Sequence, residues 1–503
     1  MKSLQTVIIL LSSQSWAWAP AFTLNRILKN PSINCDRHTE TSSILHSAVV
    51  QDAGDVSRPL DLQIKSSEKT SPYLIHKGRA TDMIKRCVSI EGLSLSKGWT
   101  PQATEAFQLA VEAVVRANPI LTGKLIETKT SPWPWDRKEI YVVPNVYNPN
   151  NHSFCKVIEP PKNMMWLGEV LDEGIDLGSN GAKRLFDYVC SNFAPYMLDR
   201  PDFTFKQIEN GNPLFQAKII DFGDGHAAYS VKMSHAIGDG TTYFQLISQI
   251  SSYMNGNEPP PIEWNNPIKA THEIYPEIFS ERDYHRSYGL PFGWGLLKNL
   301  RGLPTRRCKY LLLSKEKIRE IKNEMRGKNL TGMNDKATAI DDDTIARGRI
   351  STNDIVMSAI CEMNGSSDVF AFDRSVRGIK EGVSAYDAGN FFWEIPFDKQ
   401  KGTDPTEFRK ILLKDSGSFY DRDEVPLLPF LNGRVGRITS LATITHQTAF
   451  PGSELLCQFP SASFISELPL DVAVIFKFNA DYWGIMHNFR KTTHSPLLEK
   501  ILA

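Results

Sequence analysis

The sequence has no charge surplus, no long apolar run and no cysteine cluster, and each absence removes a class of function. Lys plus Arg number 57 and Asp plus Glu 57. A dedicated nucleic-acid binder carries a basic surplus, so no DNA or RNA partner is expected. The apolar runs fall far short of the roughly 18 residues that a spanning helix requires, so no membrane span is expected. The cysteines Cys35, Cys87, Cys155, Cys190, Cys308, Cys361 and Cys457 show neither Cys-x-x-Cys nor Cys-x-His spacing. That excludes a structural zinc site, and an odd, sparse set is not a disulfide framework. Most read as core thiols. Also missing are Gly-x-Ser-x-Gly, the phosphate-loop pattern, Gly-x-Gly-x-x-Gly and His-Glu-x-x-His. No metal and no resident cofactor are expected.

What remains is an ordinary globular composition, 41% hydrophobic and 23% charged over 503 residues. The N-terminus carries a leader signature. Val7 to Leu11 is a short apolar core, and Ala17-Trp18-Ala19 is a small-residue cleavage pattern followed by Pro20-Ala21-Phe22. Residues 1–19 therefore read as a signal peptide, and 20–70, rich in Ser, Thr and Asn, as a transit peptide and disordered linker. The junction resembles the bipartite leaders of algae with complex plastids, which implies a plastid reached through the secretory pathway. Secretion, or residence in the endomembrane lumen, is the alternative. Asn151, Asn329 and Asn364 head glycosylation triplets that matter only in that alternative.

Beyond the leader, Thr100-Pro101 opens a helix with Ala103, Phe107, Ala110, Val111, Val114 and Val115 at helical spacing. It stops before Asn118-Pro119. Strands are expected over 139–143 and 214–220. A third runs from about His226 to Ser234, followed by a helix from about Thr241 with Phe244, Ile247, Ile250 and Met254 inward. Ser314 reads as the cap of a helix over 315–324, and residues 326–348 lose all pattern. Ser351-Thr352-Asn353-Asp354 reads as a capping cluster for an apolar helix over 355–363. Strands are expected near Phe391-Phe392-Trp393, over 472–478 and over 482–489. The acidic run Asp341 to Asp343 reads as a solvated loop, the Trp133-Pro134-Trp135 group as packing, and His226, His272 and His285 as surface groups.

One constellation carries chemistry: Ser234-His235-Ala236-Ile237-Gly238-Asp239-Gly240. A strand ends at the histidine and a helix begins after the glycines. The sheet fixes the His235 backbone while the ring is left to project into a cleft. An imidazole with an ordinary pKa of about 6.5 suits a general base at neutral pH. Asp239 sits in the turn, where it is placed to order the loop or pair with an arginine. Gly238 and Gly240 permit a tight bend. A core histidine followed by an ordinary turn is the competing explanation.

Met233 to Gly240 resembles the active-site motif of the chloramphenicol-acetyltransferase-like superfamily, which includes BAHD acyltransferases, wax ester synthases and condensation domains. Arg116-Ala-Asn-Pro-Ile-Leu, Ile350-Ser-Thr-Asn-Asp, Arg374 to Arg377 and Gly389-Asn390 are similar to further stretches of that group, in the same order. Ser234 stands where many relatives carry a first histidine. Pro291 to Gly295 matches most letters of a BAHD pattern, but it lies ahead of the linker and reads as coincidence.

The resemblance implies an α/β fold of two similar lobes, each a mixed sheet with flanking helices, around an active-site channel. The lobes are expected at 71–325 and 349–503, joined by a crossover loop over 326–348. By that implication His235 is the general base of an acyl-CoA-dependent O-acyltransferase, with acyl-CoA as co-substrate and a small-molecule alcohol as acceptor. Asp239 and Gly240 are structural, with Arg306, Arg307 or Arg377 as the partner of Asp239. Ser234, Ser351 and Asn390 are channel candidates. An acetyl group is one candidate for the transferred acyl, and a pigment, sterol or lipid for the acceptor, with Phe391, Phe392 and Trp393 as compatible lining. The enzyme is expected to act as a monomer, with peripheral membrane contact at most. Three alternatives stand beside this reading: a wax ester or diacylglycerol type of acyltransferase, a non-catalytic binding protein on the same fold, and an unrelated secreted carbohydrate- or lipid-binding protein.

Overall fold

The computed structural model describes residues 72–78, 89–129, 138–145, 154–160, 179–193, 207–208, 211–264, 290–300, 306–327, 349–378, 381–414, 425–444, 450–460, 465 and 468–503. The leader, Trp133 to Trp135, His272, His285, Asn151, Asn329 and the acidic run Asp341 to Asp343 lie outside these residues, as does the crossover stretch from 328 to 348.

The first sheet is built from β2 (Ser89–Lys97), β5 (Cys155–Val157), β6 (Phe215–Asp221), β7 (His226–Ser234) and β12 (Glu454–Pro460), in the order β12-β2-β7-β6-β5. The expected 226–234 strand is thus found, and every residue of it is buried. Its alternation explains why. Ala227, Tyr229, Val231 and Met233 face a core shared with α1 (Pro101–Ala117) and α3 (Gly240–Met254), while Ala228 belongs to a second apolar cluster on the opposite face. The α1 helix starts as its sequence dictates: the Thr100 hydroxyl accepts from the Ala103 N–H at 3.2 Å, with Pro101 at the first helical position. At its other end Asn118 donates to the Val114 carbonyl at 2.8 Å and to Gln249 of α3 at 2.9 Å. This ties the two helices together. In α3 the inward set is Tyr243, Leu246, Ile247 and Ile250; Phe244 and Met254 are only partly buried.

The second sheet joins β8 (Lys309–Ser314), β9 (Val369–Ser375), β10 (Phe392–Asp398), β11 (Val435–Ser440), β13 (Asp471–Lys477) and β14 (Tyr482–His487), in the order β10-β9-β11-β13-β14-β8. One face packs on α6 (Thr352–Met363). Ser351 and Asp354 cap that helix reciprocally: Asp354 N–H to Ser351 Oγ at 3.3 Å, and Ser351 N–H to Asp354 Oδ2 at 2.6 Å. A third, three-stranded sheet holds β1 (Tyr73–Gly78), β3 (Lys124–Lys129) and β4 (Lys138–Val143).

Chain order and lobe membership part company at two strands. The expected first lobe extends to residue 325, yet β8 and α5 (Lys315–Gly327) complete the second lobe: Leu313 and Ile318 lie in its core. In return β12, from the second half of the chain, pairs with β2 at the edge of the first sheet. Each lobe therefore closes on a strand supplied by the other half. Among the described residues no helix is long and apolar enough to cross a membrane.

Two polar side chains depart from expectation. His226 is buried, and its ring lies 3.2 Å from Asp224. Asn364 is fully buried, accepts the N–H groups of Ser366 and Ser367 at 2.9 and 2.7 Å, and faces Asp471. It is a turn residue of the interior, so it is not accessible to a glycan. A third buried group makes stability depend on pH. His487, at the end of β14, is held down at about 4 by burial and by the Lys309 charge beside it. Above pH 6.5 the imidazole is neutral in both the folded and unfolded chain. Between 6.5 and about 4 only the unfolded chain takes the proton, so stability falls with pH, by up to about 3 kcal/mol. The expected result is a urea midpoint that drops from pH 7 to pH 5 in the wild type and drops less in His487→Gln; equal slopes would refute this.

Candidate active site

The motif lies where the lobes touch. His235 follows the last residue of β7 and is half-buried. Its backbone is held from the second lobe, because Asn390 Nδ2 donates to the His235 carbonyl at 2.9 Å and to the Ala236 carbonyl at 3.4 Å. Its ring meets the ring of Phe392 edge-on, with centroids 6.2 Å apart. Ser234 is buried, and its hydroxyl is spent on Gln207, to which it donates at 2.6 Å.

Asp239 spends its carboxylate on structure. Oδ1 accepts the Thr242 N–H at 3.1 Å and caps α3. Oδ2 accepts from Arg377 Nη1 at 2.7 Å and from the Phe391 N–H at 3.0 Å. The Asp239 N–H donates to the Gly389 carbonyl at 3.1 Å. Arg377 completes the tie, donating to the Asp387 carbonyl at 2.8 Å, the Gly389 carbonyl at 2.9 Å and Thr242 Oγ1 at 3.1 Å. Its guanidinium lies 5.0 Å over the Phe391 ring. The partner of Asp239 is therefore Arg377. Arg306 is engaged elsewhere, 2.8 Å from Asp471 with both side chains fully buried, and Arg307 is exposed.

The whole tie is delivered by one excursion of chain. Residues 376–378 follow β9, and 381–391 lie against the first lobe before β10. Ala388 is buried in the first lobe's core, its N–H donating to the Glu263 backbone carbonyl at 2.8 Å. Thr242 is the member that sequence reading missed. Its hydroxyl donates to the Gly389 carbonyl at 3.2 Å and accepts from the Gly389 N–H at 3.1 Å. The available signal was its spacing, three residues after the capping Asp239.

The glycines serve a different purpose from the one expected. Neither Gly238 nor Gly240 has a positive φ. A Cβ on Gly238 would lie 2.7 Å from the Thr242 side chain, and one on Gly240 2.9 Å from Ile444. They provide space for the tie and for close packing. Ser351, a channel candidate, spends its hydroxyl on capping α6. Of the aromatic stretch, Phe391 is fully buried in the second lobe's core, which leaves Phe392 at His235.

No protein-family profile matches the chain, and no curated protein matches it. Solved structures do. The Fusarium sporotrichioides TRI101 structure with coenzyme A and T-2 aligns over 84% of this chain and 95% of its own, at 10% identity and a TM-score of 0.50. The chain has the chloramphenicol-acetyltransferase-like fold. The polyketide synthase associated protein 5 of Mycobacterium tuberculosis aligns over 86% of this chain and 97% of its own, at 14% identity and a TM-score of 0.49. Vinorine synthase aligns over 87% and 93%, at 12% identity and a TM-score of 0.48. Within the shared fold, the His235 loop occupies the junction of the two lobes.

Proposed function

We propose that the protein is an acyl-CoA-dependent O-acyltransferase with His235 as general base. The observation that carries the reading is a half-buried imidazole at the lobe junction, its backbone held from the second lobe by Asn390 and its loop fixed by the Asp239–Arg377 tie. The fold adds support, since the TRI101 structure of similar fold was solved with coenzyme A bound. In this mechanism His235 removes the hydroxyl proton of an alcohol acceptor. The acceptor oxygen attacks the thioester carbonyl carbon, the tetrahedral intermediate collapses, and the carbon–sulfur bond breaks. The departing thiolate takes the proton back from the imidazolium, leaving ester, free CoA and neutral His235. Asp239, Arg377, Thr242 and Asn390 hold the histidine in place without touching the reacting atoms.

The pigment, sterol or lipid acceptor suggested by sequence drew on Phe391, Phe392 and Trp393; Phe392 meets His235, whereas Phe391 is buried in the second lobe's core. The acceptor is therefore defined here by its hydroxyl. The test is direct. The full chain is incubated with acetyl-, malonyl- and long-chain acyl-CoA and a mixed pool of alcohols, and free thiol and ester are followed together. Ester formed in step with thiol establishes the activity and names the donor. Folded protein that makes no ester from any donor would remove the proposal in favour of a binding protein.

A further inference from the structure

The two sheets that face each other across the lobe junction are divided into a dry part and a charged part. On the first sheet Leu93, Leu95 and Ala228 share one apolar cluster with Val472, Val474 and Phe476 of the second. Strand alternation places Glu91 and Lys232 on the same inner face as Leu93 and Ala228, and the register sets them opposite each other. Both are buried, 5% and 7% exposed.

The second sheet mirrors this. Arg437 is in register with Val472, and Glu394 with Asp373, so Phe392, Glu394, Asp373 and Arg437 share the inner face. Arg437 donates to both oxygens of Asp373, through Nε at 2.9 Å and Nη2 at 2.8 Å, and its Nη2 lies 2.9 Å from Glu394. The guanidinium stands 5.6 Å over the Phe392 ring, the same ring that meets His235. Lys232, on the inner face of β7, lies three residues before His235, which follows the strand's last residue. The Arg437 group thus reaches the histidine through Phe392, and the Glu91–Lys232 pair stands on the facing sheet.

We infer that these groups line the acceptor side of the His235 site, and that the acceptor is a polyhydroxylated molecule, not a hydrocarbon-like alcohol. The term acceptor rests on the acyltransferase reading; the polarity of these facing groups does not. Packing hydrocarbon against three carboxyl groups, a guanidinium and an ammonium would strip their remaining water and return no hydrogen bond. A polyol replaces that water group for group. Burial, reinforced by Glu394, holds the Asp373 carboxyl above its ordinary range despite Arg437, which fits surroundings already poor in water. A site built to hydrogen-bond its substrate rejects the analogue that lacks those groups by orders of magnitude, whereas an apolar pocket discriminates weakly.

The experiment uses matched pairs: octan-1-ol with octyl β-glucoside, and cyclohexanol with myo-inositol. Binding to the full-length His235→Ala protein is measured by calorimetry, and acylation by the wild type from its preferred acyl-CoA. The polyol member of each pair is expected to bind about tenfold more tightly or better. Arg437→Met should reduce that preference to about threefold or less, with the KM for acyl-CoA within about twofold of wild type. Lys232→Met is the second variant should the first not fold. Equal or tighter binding of the mono-alcohols, or no binding by either polyol, overturns the inference. A polyol preference without any acyl transfer would sustain the site's polarity and remove the enzyme reading instead.

Discussion

His235→Ala is expected to lower acyl transfer by about a hundredfold to ten-thousandfold while leaving the fold intact. The two halves of this expectation have separate sources. The loss in rate comes from removing the only group proposed to accept the acceptor's proton, so kcat should fall much more than the KM for acyl-CoA rises. The tolerance of the fold comes from how the loop is held. Asn390 grips the His235 and Ala236 carbonyls, which alanine retains. Asp239 and Thr242 secure the turn from the far side of the motif. What alanine loses is a half-buried ring and its edge contact with Phe392. The measurement is the initial rate of ester formation beside the thermal midpoint of each protein. A variant with wild-type turnover would sink the general-base role. A variant that unfolds would show that the ring holds the junction together, and His235→Gln, which keeps a polar side chain of similar reach, would then separate chemistry from packing.

Much of this arrangement was legible because its causes are local. Thr100-Pro101, Asp239 and Ser351 each sit immediately before an apolar helix, and a cap needs only its own next three residues to act. The β7 strand and α3 helix were legible for the same reason, and with them the position of His235 between sheet and helix. What stayed hidden is what depends on distant chain. Arg306, Arg307 and Arg377 were equivalent candidates for Asp239 in sequence. Only the fold sends Arg306 to Asp471, 165 residues further along, and brings Arg377 across the junction. The exchange of β8 and β12 between lobes leaves no local mark either, because an edge strand looks the same whichever sheet it completes. The inward turn of Phe391 could have been foreseen from alternation alone had the start of β10 been known, since its neighbour Phe392 faces the opposite way.

The Asp239–Arg377 pair carries the second large expectation, on stability as well as activity. Both side chains are nearly inaccessible, at 8% and 4% exposure, and their nearest oxygen and nitrogen are 2.7 Å apart. Removing one member leaves the other charged, buried and unmatched, which typically costs about 3–5 kcal/mol. Asp239→Ala loses more than charge, because the cap of α3 and the acceptor for the Phe391 N–H go with it. Arg377→Met loses the donors to Asp387, Gly389 and Thr242 that hold the 381–391 excursion against the first lobe. Both single variants should therefore unfold at lower denaturant and lose activity together, because releasing the excursion also releases Asn390 from the His235 backbone. The double variant Asp239→Ala with Arg377→Met removes both charges at once. It should be more stable than the sum of the single losses by about 0.5–3 kcal/mol and should recover part of the activity. That recovery distinguishes a structural tie from a catalytic acid, since a missing proton donor is not restored by deleting its neighbour. Single losses that add to within about 0.5 kcal/mol would mean that the two residues act independently, and the clamp on His235 would have to be sought in Asn390 and Thr242 alone.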